Sequence, residues 1–153
     1  MKLTDLLIRD ACVMDMQARS KKEALRELAQ ALASHARELS PADLLDKLLG
    51  RERLGTTALG DGIAIPHARI DSLERVLVTF GRSRAGLDFE SVDGEPTRMF
   101  FLLVAPDREG STHLLTLARL SRFLSMPEFR AKLLEAESVD DLFRALEEQE
   151  SRL

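Results

Sequence analysis

His35, His67 and His113 are the chain's three histidines, and they carry its most versatile chemistry. A neutral imidazole is a nucleophile, a general base and a metal ligand near pH 7. His35, in SHAREL, falls near the end of a predicted helix, where interaction with the helix C-terminus gives it an ordinary structural role. His67 closes the apolar run in GDGIAIPHAR, residues 60–69. Pro66 fixes its own φ and biases Ile65 toward extended backbone, so the approach to this imidazole is stiff. Position alone leaves a packing histidine and a functional one equally open. His113, in EGSTHLL, belongs to the first turn of a predicted helix. Free amides, the hydroxyls of Ser111 and Thr112, and the ring itself favour a bound anion there.

Several chemistries lack the residues they need. A metal site takes three or four ligands, and no His/Cys/Asp/Glu spacing here makes such a set, so neither a metal nor another cofactor is expected. Cys12 is the one cysteine and sits in a predicted strand, and no GxSxG elbow is present. Gly55, Gly60 and Gly62 lack the GK[ST] ending of a phosphate loop, and turns account for them.

Phosphoryl acceptance by His67 uses more of its neighbours. An imidazole can take the group and pass it on, in a transfer governed by positioning and by neutralising charge on the equatorial oxygens. Arg51 and Arg53 are candidate cations, Thr56 and Thr57 candidate phosphate-contacting hydroxyls, and His113 a second imidazole at the transferring oxygens. Each also has an ordinary structural reading, and spacing along a chain does not show that they converge.

The elements that must position these groups follow from periodicity. CVMDM, residues 12–16, alternates as a short strand with Cys12, Met14 and Met16 on its inward side. Ser20 and Glu23 make a capping box for an amphipathic helix in which Leu25, Leu28, Ala29 and Leu32 recur at helical spacing. Ser40, Pro41 and Asp43 start a second helix that runs to about Arg53, with Gly50 or Gly55 at its exit. TTAL and IAIP then form a hairpin around Gly60-Asp61-Gly62, delivering His67 to its end. RVLVTFGRS (75–83) and RMFFLLVAP (98–106) read as buried strands, with a brief LDF strand and a turn at Asp93-Gly94 between them. STHLLTLARLSRFL is helical, capped by Ser111 or Thr112, with Leu114, Leu117, Ala118, Leu120 and Leu124 as its apolar face. PEFRAKLLEA and SVDDLFRALEEQ complete a helical tail. The fold class is α/β (α+β): one mixed sheet with helices on both faces.

The 153 residues fit a single domain, 1–153, large enough to bury its own core. A net charge of −4 argues against a nucleic-acid partner. The absence of a signal-like start and of a run of ~20 apolar residues argues for a cytoplasmic protein that does not insert in membranes.

The run RERLGTTALGDGIAIPHA, residues 51–68, resembles the active-site signature of the fructose/mannitol-type (type-2) enzyme IIA domain of the bacterial phosphotransferase system. Glu52, Leu59-Gly60 and Ile63-Ala64-Ile65-Pro66-His67-Ala68 carry the likeness, which extends over nearly the whole chain. Within the family it is most similar to the nitrogen-branch IIA proteins, since THLLTLARLSRFL follows at the matching distance. Ala68 stands where glycine is most often found. The resemblance implies a mixed sheet flanked by helices, with His67 as the phosphorylated histidine, Arg51 as an active-site arginine and His113 as the second active-site histidine. It favours Nε2 as the nitrogen that is phosphorylated. The implied donor is an HPr-like phosphocarrier protein (NPr), charged by a phosphoenolpyruvate-dependent first enzyme, and the implied output is regulation of target proteins such as transporters or kinases. Two alternatives stay open: a sugar-transport IIA that passes phosphate to a IIB component, and a non-catalytic interaction module in which His67 packs the hairpin.

Overall fold

Alternation along one strand divides the interior in two. In a computed structural model that describes residues 2–107 and 110–152, the run around RMFFLLVA becomes β5, Thr97–Ala105. Met99, Phe101, Leu103 and Ala105 enter one apolar cluster, while Phe100, Leu102 and Val104 enter the other. A strand buried on both faces needs this continuous apolar character, and helices must cover each side. On one side lie α2, Lys21–Ala33, and α3, Pro41–Arg53, contributing Leu25, Leu28, Leu32, Leu44 and Leu48. On the other lie α1, Leu3–Leu6, with α4, Gly110–Leu124, α5, Pro127–Glu135, and α6, Val139–Ser151. Each buried leucine stabilises by about 1.5–3 kcal/mol relative to an exposed one.

The sheet is mixed and five-stranded. β4, Leu77–Leu87, runs antiparallel along one edge of β5. Along the other edge, β2, Ile63–Ala64, and β3, His67–Arg69, both run parallel to β5. Their registers agree, Ile63 opposite Met99 and His67 opposite Leu103, so the two are one strand interrupted at Ile65-Pro66. Pro66 has no N–H for the ladder, and its carbonyl accepts from Leu103 N at 3.0 Å. The Ile65 amide turns outward to Thr57 O, also at 3.0 Å. β1, Ala58–Gly60, pairs antiparallel with β2 through the expected tight turn, where Gly60, Asp61 and Gly62 all have positive φ.

The helix starts agree with the sequence. Ser20 and Ser40 accept from the amides of Glu23 and Asp43, and Glu23 reaches back to the amide of Arg19, one residue before the cap. Gly50 lies inside α3, and the exit is at Gly55.

Four expectations are corrected. Residues 12–16 form no strand: Val13 makes an isolated bridge to Gly81, and the next ladder bond comes only at the Met16 amide. This looser path along β4 sends Met16 to the α2 side and turns Cys12 and Met14 to the opposite one. The LDF strand does not form separately; Leu87 ends β4, and Phe89 is buried in the following loop, edge-on to Phe100. On α4 the buried face is His113, Thr116, Leu120, Phe123 and Leu124, whereas Leu114 is 61% exposed and Ala118 faces solvent. The helix begins at Gly110, so Thr112 lies within it and does not cap it; the side chain of Ser111 falls outside the described residues.

Polar contacts tie the helical tail to β4 and to α1. Buried Arg82 of β4 donates to the carbonyls of Leu133, Leu134 and Ala136 at the end of α5, groups that the helix itself leaves unsatisfied. Glu150 of α6 accepts from the Leu3 amide at 2.6 Å and holds α1 in place.

Candidate functional site

The interrupted edge strand decides where His67 points. Ala64, Ala68 and Ile70 face the α2/α3 cluster, so residues 67 and 69 project to the opposite side of the strand, toward α4. There His67 meets His113 edge-on, with ring centroids 5.5 Å apart and planes at 71°. α3 closes the third side with a stripe of Lys47, Gly50, Arg51 and Leu54, at helical i, i+3, i+4 and i+7 spacing. These groups border an open cavity of about 430 Å³, completed by Arg69, Leu114 and Leu117.

His67 Nδ1 lies 2.8 Å from the carbonyl oxygen of Ile65. A carbonyl can only accept, so Nδ1 carries the proton and Nε2 keeps its lone pair; the tautomer is assigned from this bond. Burial lowers the basicity of the half-buried ring, the bond to Ile65 partly restores it, and the Arg51 guanidinium lowers it again. His113 is only 4% exposed. Burial, the neighbouring His67 and the charge of Arg69 push its pKa down to about 4. Both rings are therefore neutral at pH 7, and His113 Nδ1 has no hydrogen-bond partner among the described residues. A neutral nucleophile beside a second neutral ring, with cations at the rim, suits attack on an electrophilic phosphorus.

The other candidates separate clearly. Arg51 borders the cavity, its Nη1 donating to Gly55 O at 2.9 Å, whereas Arg53 is exposed and does not. Thr56 and Thr57 are not brought to the cavity. The Thr56 hydroxyl donates to Phe89 O at 2.9 Å, and that of buried Thr57 donates to the Glu52 carboxylate. Glu52 also accepts from Thr57 N and pairs with Lys21 Nζ, each at 3.0 Å. These bonds form a relay: Lys21 and Glu52 fix Thr57, Thr57 O holds the Ile65 amide, and Ile65 O orients His67. The acidic position of the signature thus supports the strand that presents the imidazole.

Sequence reasoning missed Lys47 and Arg69 as neighbours of the rings. The signal for Arg69 was available, two places beyond His67 in a strand. His35 is exposed beyond the end of α2 and takes no part. Among the described residues no cluster of three or more His, Cys, Asp or Glu could hold a metal ion, and no helix is long and apolar enough to cross a membrane.

Residues 5–149 match the family model described as "Phosphoenolpyruvate-dependent sugar phosphotransferase system, EIIA 2". The chain is 39% identical over 146 residues to a nitrogen regulatory protein of Bradyrhizobium diazoefficiens, covering 95% of each. It is 36% identical over 140 residues to the fructose-specific EIIABC component of Bacillus subtilis, covering 92% of this chain and 22% of that longer one. The crystal structure of nitrogen regulatory protein IIA-Ntr from Neisseria meningitidis superposes with a TM-score of 0.86 at 32% identity, covering 93% of this chain and 97% of that one.

Proposed function

This chain belongs to the EIIA 2 family of the phosphoenolpyruvate-dependent sugar phosphotransferase system, and from that premise we propose that it is a histidine phosphocarrier of the nitrogen branch. It takes a phosphoryl group on His67 from an HPr-like donor (NPr), and its phosphorylation state regulates partner proteins such as transporters or kinases. The whole chain, residues 1–153, acts as one such unit. The bond from His67 Nδ1 to Ile65 O carries the reading, because it leaves Nε2 as the free nucleophile beside His113.

The step is an in-line transfer. The donor's N–P bond breaks as the lone pair of His67 Nε2 forms a new N–P bond, and the donor imidazole leaves with its electron pair. Positive charge developing on the His67 ring is held by Ile65 O through the Nδ1 proton, so no base is needed. Arg51 steadies the equatorial oxygens, and His113 offers its ring at the same oxygens from α4. Phosphorylation adds about −1.5 to −2 of charge beside the exposed Leu54 and Leu114, enough to make or break an interface with no change of fold.

The test is incubation with phosphoenolpyruvate, the first enzyme and the donor protein, followed by assay for acid-labile, alkali-stable phosphate. Wild type labels and His67→Ala does not; equal labelling of the two rejects the site. The similarity to a fructose-specific component supports a second reading, a sugar-transport IIA. Onward transfer to a cysteine-bearing IIB partner selects it. If His67 serves only to pack the hairpin, neither protein labels.

A further inference from the structure

Charge accounting at the proposed site leaves a remainder. A phosphoryl group spreads about −1.5 to −2 of charge over its oxygens. Arg51 contributes one guanidinium, already bonded to Gly55 O, and His113 is neutral at pH 7. The positive charge that forms on the His67 ring is directed at Ile65 O, away from the phosphorus. Leucines 54, 114 and 117 supply the apolar part of the rim and offer no compensation.

Resting on the phosphocarrier reading, we infer that Arg69 is a further residue of the phosphoryl site, whose guanidinium turns onto the oxygens of the group carried by His67. Residues 67 and 69 lie on one side of β3, and Arg69 borders the cavity with both rings. Its charge lowers the basicity of both rings. Among the described residues it forms no hydrogen bond and no ion pair within 4 Å, so it is free to turn. The neighbouring Asp71 raises the Asp107 carboxyl, and the charge of Arg69 partly offsets this. Lys47 also borders the cavity, from α3. Arginine, with a planar fork of donors, matches phosphoryl oxygens better than lysine. Arg69 thus completes a two-guanidinium clamp, Arg51 from α3 and Arg69 from β3.

The experiment uses the full chain as wild type, Arg69→Ala and Arg69→Lys, before and after phosphorylation by the donor cascade. Before phosphorylation, nuclear magnetic resonance titration finds both rings in Arg69→Ala protonating at higher pH than in wild type. After it, the second ionisation of the phosphoryl group, followed by ³¹P resonance, moves to higher pH in Arg69→Ala, and Arg69→Lys recovers part of the shift. Transfer from the donor slows by about tenfold in Arg69→Ala, the loss of one charge-assisted contact. The ³¹P midpoint separates this role from donor docking, which would change the rate alone. An unchanged midpoint overturns the inference. So does a phosphoprotein in which His113 titrates near neutral pH with the same midpoint in wild type and Arg69→Ala, since His113 would then balance the charge. A wild type that takes no label overturns the carrier reading itself, a result distinguishable from failure of Arg69 alone.

Discussion

Acid should destabilise this protein through His113 in a window set by its burial. An unfolded histidine protonates near 6.5, whereas His113 in the fold protonates only at about 4. Between those values the unfolded chain binds a proton that the folded one refuses, so stability falls as pH drops from 6.5 toward 4 and the loss is complete below the folded value. At 1.36 kcal/mol per pKa unit, the interval amounts to about 3 kcal/mol, a large part of a typical folding free energy. His113→Gln keeps a polar side chain of similar size and removes the titration. Urea unfolding of both proteins across pH 7.5 to 4 reads the effect as a difference between two curves, in which the carboxylates and His67 cancel to first order. That difference should be flat above pH 7 and then shift by about 3 kcal/mol in favour of the variant as the pH approaches 4. Parallel curves through the whole range would show that the His113 ring protonates freely in the folded protein, and the account of two neutral imidazoles would fail with it.

Further tests probe the parts around the rings. Glu52→Ala leaves Lys21 without its nearest carboxylate and frees the Thr57 hydroxyl and amide, so it should cost about 3–5 kcal/mol by chemical denaturation. Where the variant is still folded, it should also label more slowly through loss of the Ile65 anchor; wild-type stability and labelling would remove the relay. Arg51→Ala should change stability by less than about 1 kcal/mol while slowing transfer several-fold or more, and wild-type rates would exclude Arg51 from the mechanism. A Cβ added at Gly81 would lie 2.6 Å from Leu28 Cδ2 and 2.7 Å from Met16 Sδ. Gly81→Ala should therefore destabilise by about 1–3 kcal/mol with labelling intact, and Met16→Ala in the same chain should recover part of the loss.

Much of this was legible in the sequence because the physics was local. Ser20, Ser40 and Pro41 start helices wherever they precede an amphipathic run, since capping satisfies amides within one turn. Gly60-Asp61-Gly62 makes its turn through its own dihedral freedom, and the uninterrupted RMFFLLVA could only be a strand covered on both faces. The signature ending in Pro66-His67 marked the imidazole and its stiff approach.

What the sequence left open depended on neighbours remote in the chain. The apolar stripe of α4 drawn from spacing took in Leu114 and Ala118 together with Leu120 and Leu124. Docking against the sheet kept Leu120 and Leu124, added Phe123 and turned His113 inward, leaving Leu114 and Leu115 exposed. Thr57 could have faced a phosphate until Glu52, held by Lys21 of another helix, claimed its hydroxyl. Cys12, Met14 and Met16 alternate as a strand would, yet the chain crosses between cores where it meets β4. Backbone preferences act over a few residues and are written in order along the chain. The meeting of α3, β3 and α4 around one cavity is a packing outcome, fixed by which apolar faces can be buried at the same time.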